Sequence, residues 1–201
     1  MIVSAAFIAA ICVFVVGGVV IWSNPSRWVN RFVFSCSVCI GLWLMFLHLA
    51  VNAHDGLFWL RWTTGISAII PLQFWLVKQA ITYDGEELRQ RSLRHAALWI
   101  VATIVLATIP FTEYFIPAHS TDQHRIYGPG YFVYITGIFA LYVVLGINGF
   151  ASVRRLQGEK RLTLQVWLGG GCATALTILL LMAISALTKD SRYIRLQPFA
   201  V

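Results

Sequence analysis

Two cysteines spaced as Cys36-x-x-Cys39 are the first residues in this sequence whose types and spacing suggest chemistry. The spacing suits a metal site or a redox pair if four ligands converge or if one thiol is accessible and acidic. Here both lie in one uncharged apolar run, and Cys12 and Cys172 lie in two others. The pattern therefore favours small apolar side chains in a helical core, and it implies neither a metal site nor a disulfide.

The five histidines could ligate a haem or a metal ion if facing helices brought them to one depth. Only His48 lies well inside an apolar run, and the other four flank such runs or lie in polar segments: His54, His95, His119 and His124. A retinal-type pocket would need a lysine at mid-membrane, whereas Lys78 and Lys189 lie at the ends of apolar runs. We expect no metal and no cofactor. A retinal pocket remains an alternative only if a seventh span supplies the lysine.

No catalytic set is present in the sequence. There is no G-x-S-x-G, no H-E-x-x-H, no Ser–His–Asp order and no phosphate-binding glycine loop. The triplet Gly169–Gly171 lies inside an apolar run, where close helix packing explains it better than phosphate binding. We expect no enzyme activity from these residues.

The elements that must position any site are membrane helices. Hydrophobic residues make up 59% of the chain and charged residues 11%, whereas soluble domains carry roughly 25% charged residues. Apolar runs near the length of a bilayer span occur six times, and no segment alternates as a barrel strand would. The predicted helices cover 2–22, 32–53, 58–82, 95–116, 130–153 and 162–187.

The predicted fold is all-α, a polytopic membrane bundle of six transmembrane helices plus the start of a seventh, forming one domain over 1–201. Pro71 should kink the third helix and free a carbonyl, and Pro110 gives the fourth a second candidate bend. Residues 83–91 are expected to form a compact charged turn. Apolar residues after 192 resemble the opening of the seventh helix, so we expect the natural gene to continue past Val201 into a cytoplasmic output domain.

The net charge of +7 predicts orientation. Ten of the fifteen basic residues fall in the first, third and fifth links between helices, and by the positive-inside rule those links are cytoplasmic. The protein is then predicted to lie in the inner membrane of the cell, with its N-terminus on the outer side. No basic face with interleaved aromatic residues is evident, so we expect no nucleic-acid partner.

One outer loop is the most distinctive stretch of the chain. A polar segment from Asp122 leads into Gly128-Pro129-Gly130, and an aromatic helix with Tyr131 and Tyr134 follows at once. Glycine permits unusual backbone angles and proline favours a helix start. The loop is therefore predicted to be a rigid re-entry into the bilayer.

Polar side chains within the apolar runs are costly in lipid, so they tend to face a cavity or a partner helix. We expect most of them to form a polar and aromatic cup that opens to the outside and binds a ligand. The alternative is that they only hydrogen bond between helices and hold the bundle together. The candidate ligand-binding residues are Trp43, His48, Asn52, Thr64, Gln73, Glu113 and Tyr134.

The chain resembles the seven-helix N-terminal sensory region of bacterial histidine kinases. The resemblance rests on matches in order along nearly the whole sequence: Asn24-Pro-Ser-Arg27, Phe32, Trp43, Pro71, Tyr127-Gly-Pro-Gly-Tyr131, Tyr134 and Pro198-Phe-Ala200. It implies a sensor that passes an external or membrane signal to a cytoplasmic kinase-type output, in cis or in trans. It implies no catalytic residue within these positions.

Two other functions remain as alternatives. A small transporter or channel would predict paired inverted repeats with broken helices, and the sequence shows no such repeat. A membrane enzyme would need a charged catalytic cluster. For the sensor, the expected partners are membrane lipid, a small-molecule or membrane signal, and a second copy in a homodimer.

Overall fold

The computed structural model describes residues 5–83, 85–117, 120 and 126–188, and this part of the chain is helical, without strands. The helices follow in chain order, with a 3-10 turn at Ile109–Phe111 between the fifth and the sixth. They are α1 (Ala5–Ser23), α2 (Trp28–Asn52), α3 (Gly56–Ser67), α4 (Ile70–Thr82), α5 (Gly85–Thr108), α6 (Pro129–Val153) and α7 (Gly158–Thr188).

Four of the described helices are long and apolar enough to cross a membrane: α1, α2, α6 and the part of α7 up to Leu181. With α7 taken over its full length, these helices match the first, second, fifth and sixth predicted spans to within four residues at each end. A shorter apolar helical stretch covers His95–Phe111. The predicted start of a seventh helix lies outside the described residues.

The third and fourth predicted spans differ from the structure. The expected single kinked helix over 58–82 is two helices, α3 and α4, separated by Ala68 and Ile69. The charged turn predicted at 83–91 is wrong, because helix α5 already begins at Gly85. Its α-helical part also ends at Thr108, before the predicted end at 116, since Pro110 interrupts it with a 3-10 turn.

Many large apolar side chains are exposed along the helices, for example Val19 on α1, Phe150 on α6 and Val166 on α7, which are 64%, 66% and 69% exposed. An apolar surface of this extent is characteristic of helices that face lipid. Inside, α1 packs on α2, and α4 contacts α2, α5, α6 and α7. Helix α4 therefore occupies the centre of the bundle.

The glycines of the Gly128–Gly130 loop allow two backbone segments to approach closely. The amide of Gly128 donates to the carbonyl of Phe115 at 3.0 Å, and the amide of Gly130 donates to that of Tyr114 at 3.0 Å. A Cβ atom at Gly128 would overlap the Tyr114 carbonyl. Gly128 has a φ of −80°, so close approach, and not unusual backbone angles, explains the glycine.

Candidate functional site

Three oxygen atoms meet at the break between α3 and α4. The hydroxyl of Tyr134, on α6, lies 2.8 Å from the carbonyl oxygen of Thr64 and 2.7 Å from the hydroxyl of Ser67. The Ser67 hydroxyl lies 2.9 Å from the same carbonyl. We call these three groups the tyrosine latch, because they join α6 to the last turn of α3.

Pro71 explains why the helix breaks at this point. A proline has no amide hydrogen for the carbonyl four residues earlier, here that of Ser67, and its ring clashes with it. Pro71 lies at the start of α4, where a missing amide hydrogen is tolerated. The amide of Ile69 donates to the carbonyl of Ile66 at 2.9 Å, three residues back, and the Thr64 carbonyl accepts from the hydroxyls of Ser67 and Tyr134.

Two small cavities adjoin the latch. One, of about 70 Å³, lies between α2, α4, α6 and α7, and Ser67 and Tyr134 line it. The other, of about 40 Å³, lies towards the Gly128–Gly130 loop and is lined by Thr64, Ser67 and Tyr131. Three side chains line both cavities and separate them: Trp43, Ser67 and Ile178.

Three of the seven candidate residues therefore lie together. Trp43 and Thr64 are each 4% exposed, and Tyr134 is 1% exposed. Trp43 supplies an aromatic wall, and Tyr134 supplies the buried polar group next to it. In a largely apolar cavity, a few buried hydroxyls can orient a ligand that has a hydrogen-bonding group.

His48 and Asn52 form a second, separate pair on α2. The Asn52 side-chain amide donates to the His48 carbonyl at 2.8 Å and lies 3.1 Å from its Nδ1 atom. Asn52 is exposed and His48 is half-buried against the ring of Phe7, at 5.6 Å. Neither side chain lines the cavities beside the latch.

The last two candidates also lie away from the latch cavities. Glu113 is exposed, two residues after the 3-10 turn at Ile109–Phe111. It therefore lies beyond the α-helical part of the predicted fourth span. Gln73 is half-buried on α4, and its side-chain oxygen has no hydrogen-bond partner within the described part of the chain.

Ser67 was not among the candidates, although it contributes to both cavities and to the latch. A signal for it was present in the sequence. It lies four residues before Pro71, the position whose carbonyl a proline leaves unpaired. A hydroxyl there can reach back into the preceding helical turn, as Ser67 does towards Thr64.

The cysteines form no cluster in the structure. All four are free, and Cys36 is buried in the core with Phe74 and Trp75. Over the described residues, no three His, Cys, Asp or Glu side chains are grouped in a way that could hold a metal ion. The tyrosine latch and its cavities are therefore the candidate site.

Comparisons of the chain with protein-family models, curated proteins and solved structures gave no match. The function is therefore inferred from the site itself.

Proposed function

We propose that this chain is a membrane-embedded sensory domain, in which a ligand in the latch cavities changes the packing of α3 against α4. The observation that supports this function is the position of the Tyr134 hydroxyl. It bonds to the Thr64 carbonyl in the last turn of α3, just before the break, and its side chain also lines a cavity. A ligand that bonds to Tyr134 or Ser67 competes directly with the contacts that hold the break.

The proposed membrane arrangement has six spans and the start of a seventh, in the inner membrane. Helices α3 and α4 together make the third span, and α5 with its 3-10 turn makes the fourth. We assign Arg27, Arg155 and Lys160 to the cytoplasmic side by the positive-inside rule, and the proposed N-terminus is then outside. Arg61 lies at the outer end, where its guanidinium donates to the carbonyl of Ile116 at 3.1 Å.

The proposed ligand is a small amphipathic molecule that arrives from the outer side or from the membrane. The larger cavity holds about 70 Å³, less than the engineered apolar cavity of about 150 Å³ that binds benzene, so the ligand has to displace lining side chains as it binds. The lining of this cavity is largely apolar, and its hydroxyl-bearing residues are Ser67, Tyr134, Tyr142 and Thr174. Such a ligand acts as a signal only if it binds one arrangement of the break more tightly than the other.

The proposed output is cytoplasmic and of the histidine kinase type, in cis or in trans, as the sequence resemblance implies. Helix α4 runs from the break to Thr82, and its last turn lines the same cleft as Arg27 and Lys160. A displacement at the latch therefore reaches the cytoplasmic end through one rigid helix. A homodimer would bring two such outputs together.

The test is kinase autophosphorylation in native membrane vesicles that contain the intact gene product and are supplied with labelled ATP. Tyr134→Phe removes the latch hydroxyl and keeps the ring, so we expect the basal output to change several-fold at equal protein amount. Tyr114→Phe is the control, because Tyr114 is 74% exposed. Equal output from the wild type and both variants would contradict the proposal.

A transporter or channel is the second candidate, and the break itself favours it. Broken helices at mid-membrane bind substrates and ions in many transporters. Such a function predicts flux of a small solute through the chain reconstituted in liposomes, reduced by Tyr134→Phe. A sensor predicts no flux above that of empty liposomes.

A further inference from the structure

A large cleft lies at the basic end of the bundle, far from the latch. Its volume is about 480 Å³, within the range of roughly 300–1,000 Å³ that is usual for ligand pockets. Five segments enclose it: the α1–α2 turn, the first turn of α2, the end of α4, the start of α5 and the first turn of α7. Nothing in the proposed sensory mechanism uses this cleft.

Among the described residues that line the cleft, positive side chains outnumber negative ones. Arg27 and Lys160 line the cleft from two different segments. Glu159 is the one acidic residue among the described residues that line it. Arg154, Arg155 and Arg161 are exposed on the neighbouring α6–α7 link and at the start of α7. An anion entering the cleft is therefore attracted by charges on opposite walls.

Hydrogen-bond donors add to this charge. Trp28, Val29 and Asn30 are the first residues of α2, and the N-cap residue Arg27 provides no side-chain cap for their amides. The first amides of a helix lack internal partners and favour a negatively charged group. Thr163 and Tyr83 supply hydroxyls on the facing walls.

The aromatic and apolar parts of the cleft suit a lipid. Trp28 is 50% exposed, and the Arg31 guanidinium lies 5.0 Å from its ring centre. Exposed tryptophan beside arginine is typical of the headgroup level of a membrane. Ile81 and Leu88, both buried, form an apolar wall below the polar groups.

We infer that this cleft binds the phosphate-bearing headgroup of an anionic phospholipid, with Arg27 and Lys160 on the phosphate. Basic pockets between transmembrane helices on the cytoplasmic side bind such headgroups in other membrane proteins. A soluble phosphate compound has the same anionic chemistry, but it would not use the apolar wall. The inference is independent of the sensory function.

The test measures lipid binding to the purified 201-residue chain in detergent by native mass spectrometry. We expect dioleoyl-phosphatidylglycerol to bind more tightly than dioleoyl-phosphatidylcholine. Arg27→Gln and Lys160→Gln should each weaken phosphatidylglycerol binding about fivefold, the effect of one cation near a lipid phosphate. Glu159→Gln should strengthen it, because it removes the opposing carboxylate.

Arg154→Gln is the matched control, since Arg154 is exposed at the same end but does not line the cleft. Equal weakening by Arg154→Gln and Arg27→Gln would overturn the inference in favour of general surface attraction. Unchanged or weaker binding by Glu159→Gln would also overturn it, and an increase cannot result from misfolding. Displacement of the lipid by millimolar glycerol 3-phosphate would assign the cleft to a soluble anion instead.

Discussion

The hydroxyl oxygen of Tyr134 lies 2.7 Å from that of Ser67, and both lie within hydrogen-bond distance of the Thr64 carbonyl. Three oxygens thus share two protons. Either both hydroxyls donate to the carbonyl oxygen, which has two lone pairs, or one hydroxyl donates to the carbonyl and the other donates to that hydroxyl. The latch can therefore change its bonding without moving a heavy atom, and a ligand bonded to either hydroxyl favours one arrangement.

Tyr134→Phe should destabilise the chain by about 1 kcal/mol. The change leaves one hydrogen bond where two existed, and interhelical bonds in membrane proteins contribute about 0.6 to 2 kcal/mol each. The free energy of unfolding is measured in mixed micelles of mild and denaturing detergent. Tyr114→Phe should leave it unchanged, since Tyr114 is exposed.

Hydrogen exchange locates the effect of the same variant. The backbone amides of residues 68–70, 72 and 73 should exchange faster in Tyr134→Phe than in the wild type, because the break loses its contact with α6. Amides in the middle of α2 should exchange as before. Faster exchange spread evenly over all helices would mean that the variant weakens the whole bundle and that no local latch exists.

Gly128→Ala should destabilise the Gly128–Gly130 loop by about 1 to 3 kcal/mol, the usual cost of forcing extra atoms into a packed site. The added methyl group would overlap the Tyr114 carbonyl and push apart the two segments that Gly128 and Phe115 join. Gly146→Ala is the control on α6, because a Cβ there meets nothing within 4 Å. If both variants unfold at the same detergent concentration as the wild type, the loop does not depend on close approach.

Cysteine labelling tests the orientation in intact cells. A single cysteine at Glu113 should react with an impermeant thiol reagent, and one at Gln157 should react only after the membrane is opened, in a background without the four native cysteines. Both positions are exposed. Ser120 is less suitable, since it is buried and its hydroxyl accepts a hydrogen bond from the Ile126 amide at 3.0 Å. Labelling of Gln157 from outside would reverse the proposed orientation.

The sequence predicted the helical class and the four long apolar helices because their apolar runs are uninterrupted. It did not predict helix α5 over residues 85–94, since charged residues that follow an Asp-Gly pair are equally typical of a turn. The break before Pro71 was expected as a kink. A proline alone does not decide between a kink and a break, because the outcome depends on which donors form hydrogen bonds to the freed carbonyls.

The candidate site was predicted in part. Trp43, Thr64 and Tyr134 adjoin one another in the structure, whereas Asn52 bonds to His48 elsewhere on α2, and Glu113 is exposed in a turn. Polarity in an apolar run identifies residues that need a partner, but it does not say whether the partner is on the same helix. Asn52 satisfies its amide four residues back along α2, a contact that apolar patterning does not reveal.

The central claim is that the latch controls the cytoplasmic end of α4, and a distance measurement tests it most directly. Spin labels on cysteines at Thr82, on the last turn of α4, and at Arg155, just after α6, report the position of α4 relative to α6. The chain is reconstituted in lipid nanodiscs, and the distances are measured by pulsed electron paramagnetic resonance. We predict that Tyr134→Phe adds a second distance population that is absent from the wild type and from Tyr114→Phe. Identical distributions in all three proteins, with faster hydrogen exchange at residues 68–70, 72 and 73 in Tyr134→Phe, would show that the latch only holds the bundle together and would contradict the claim.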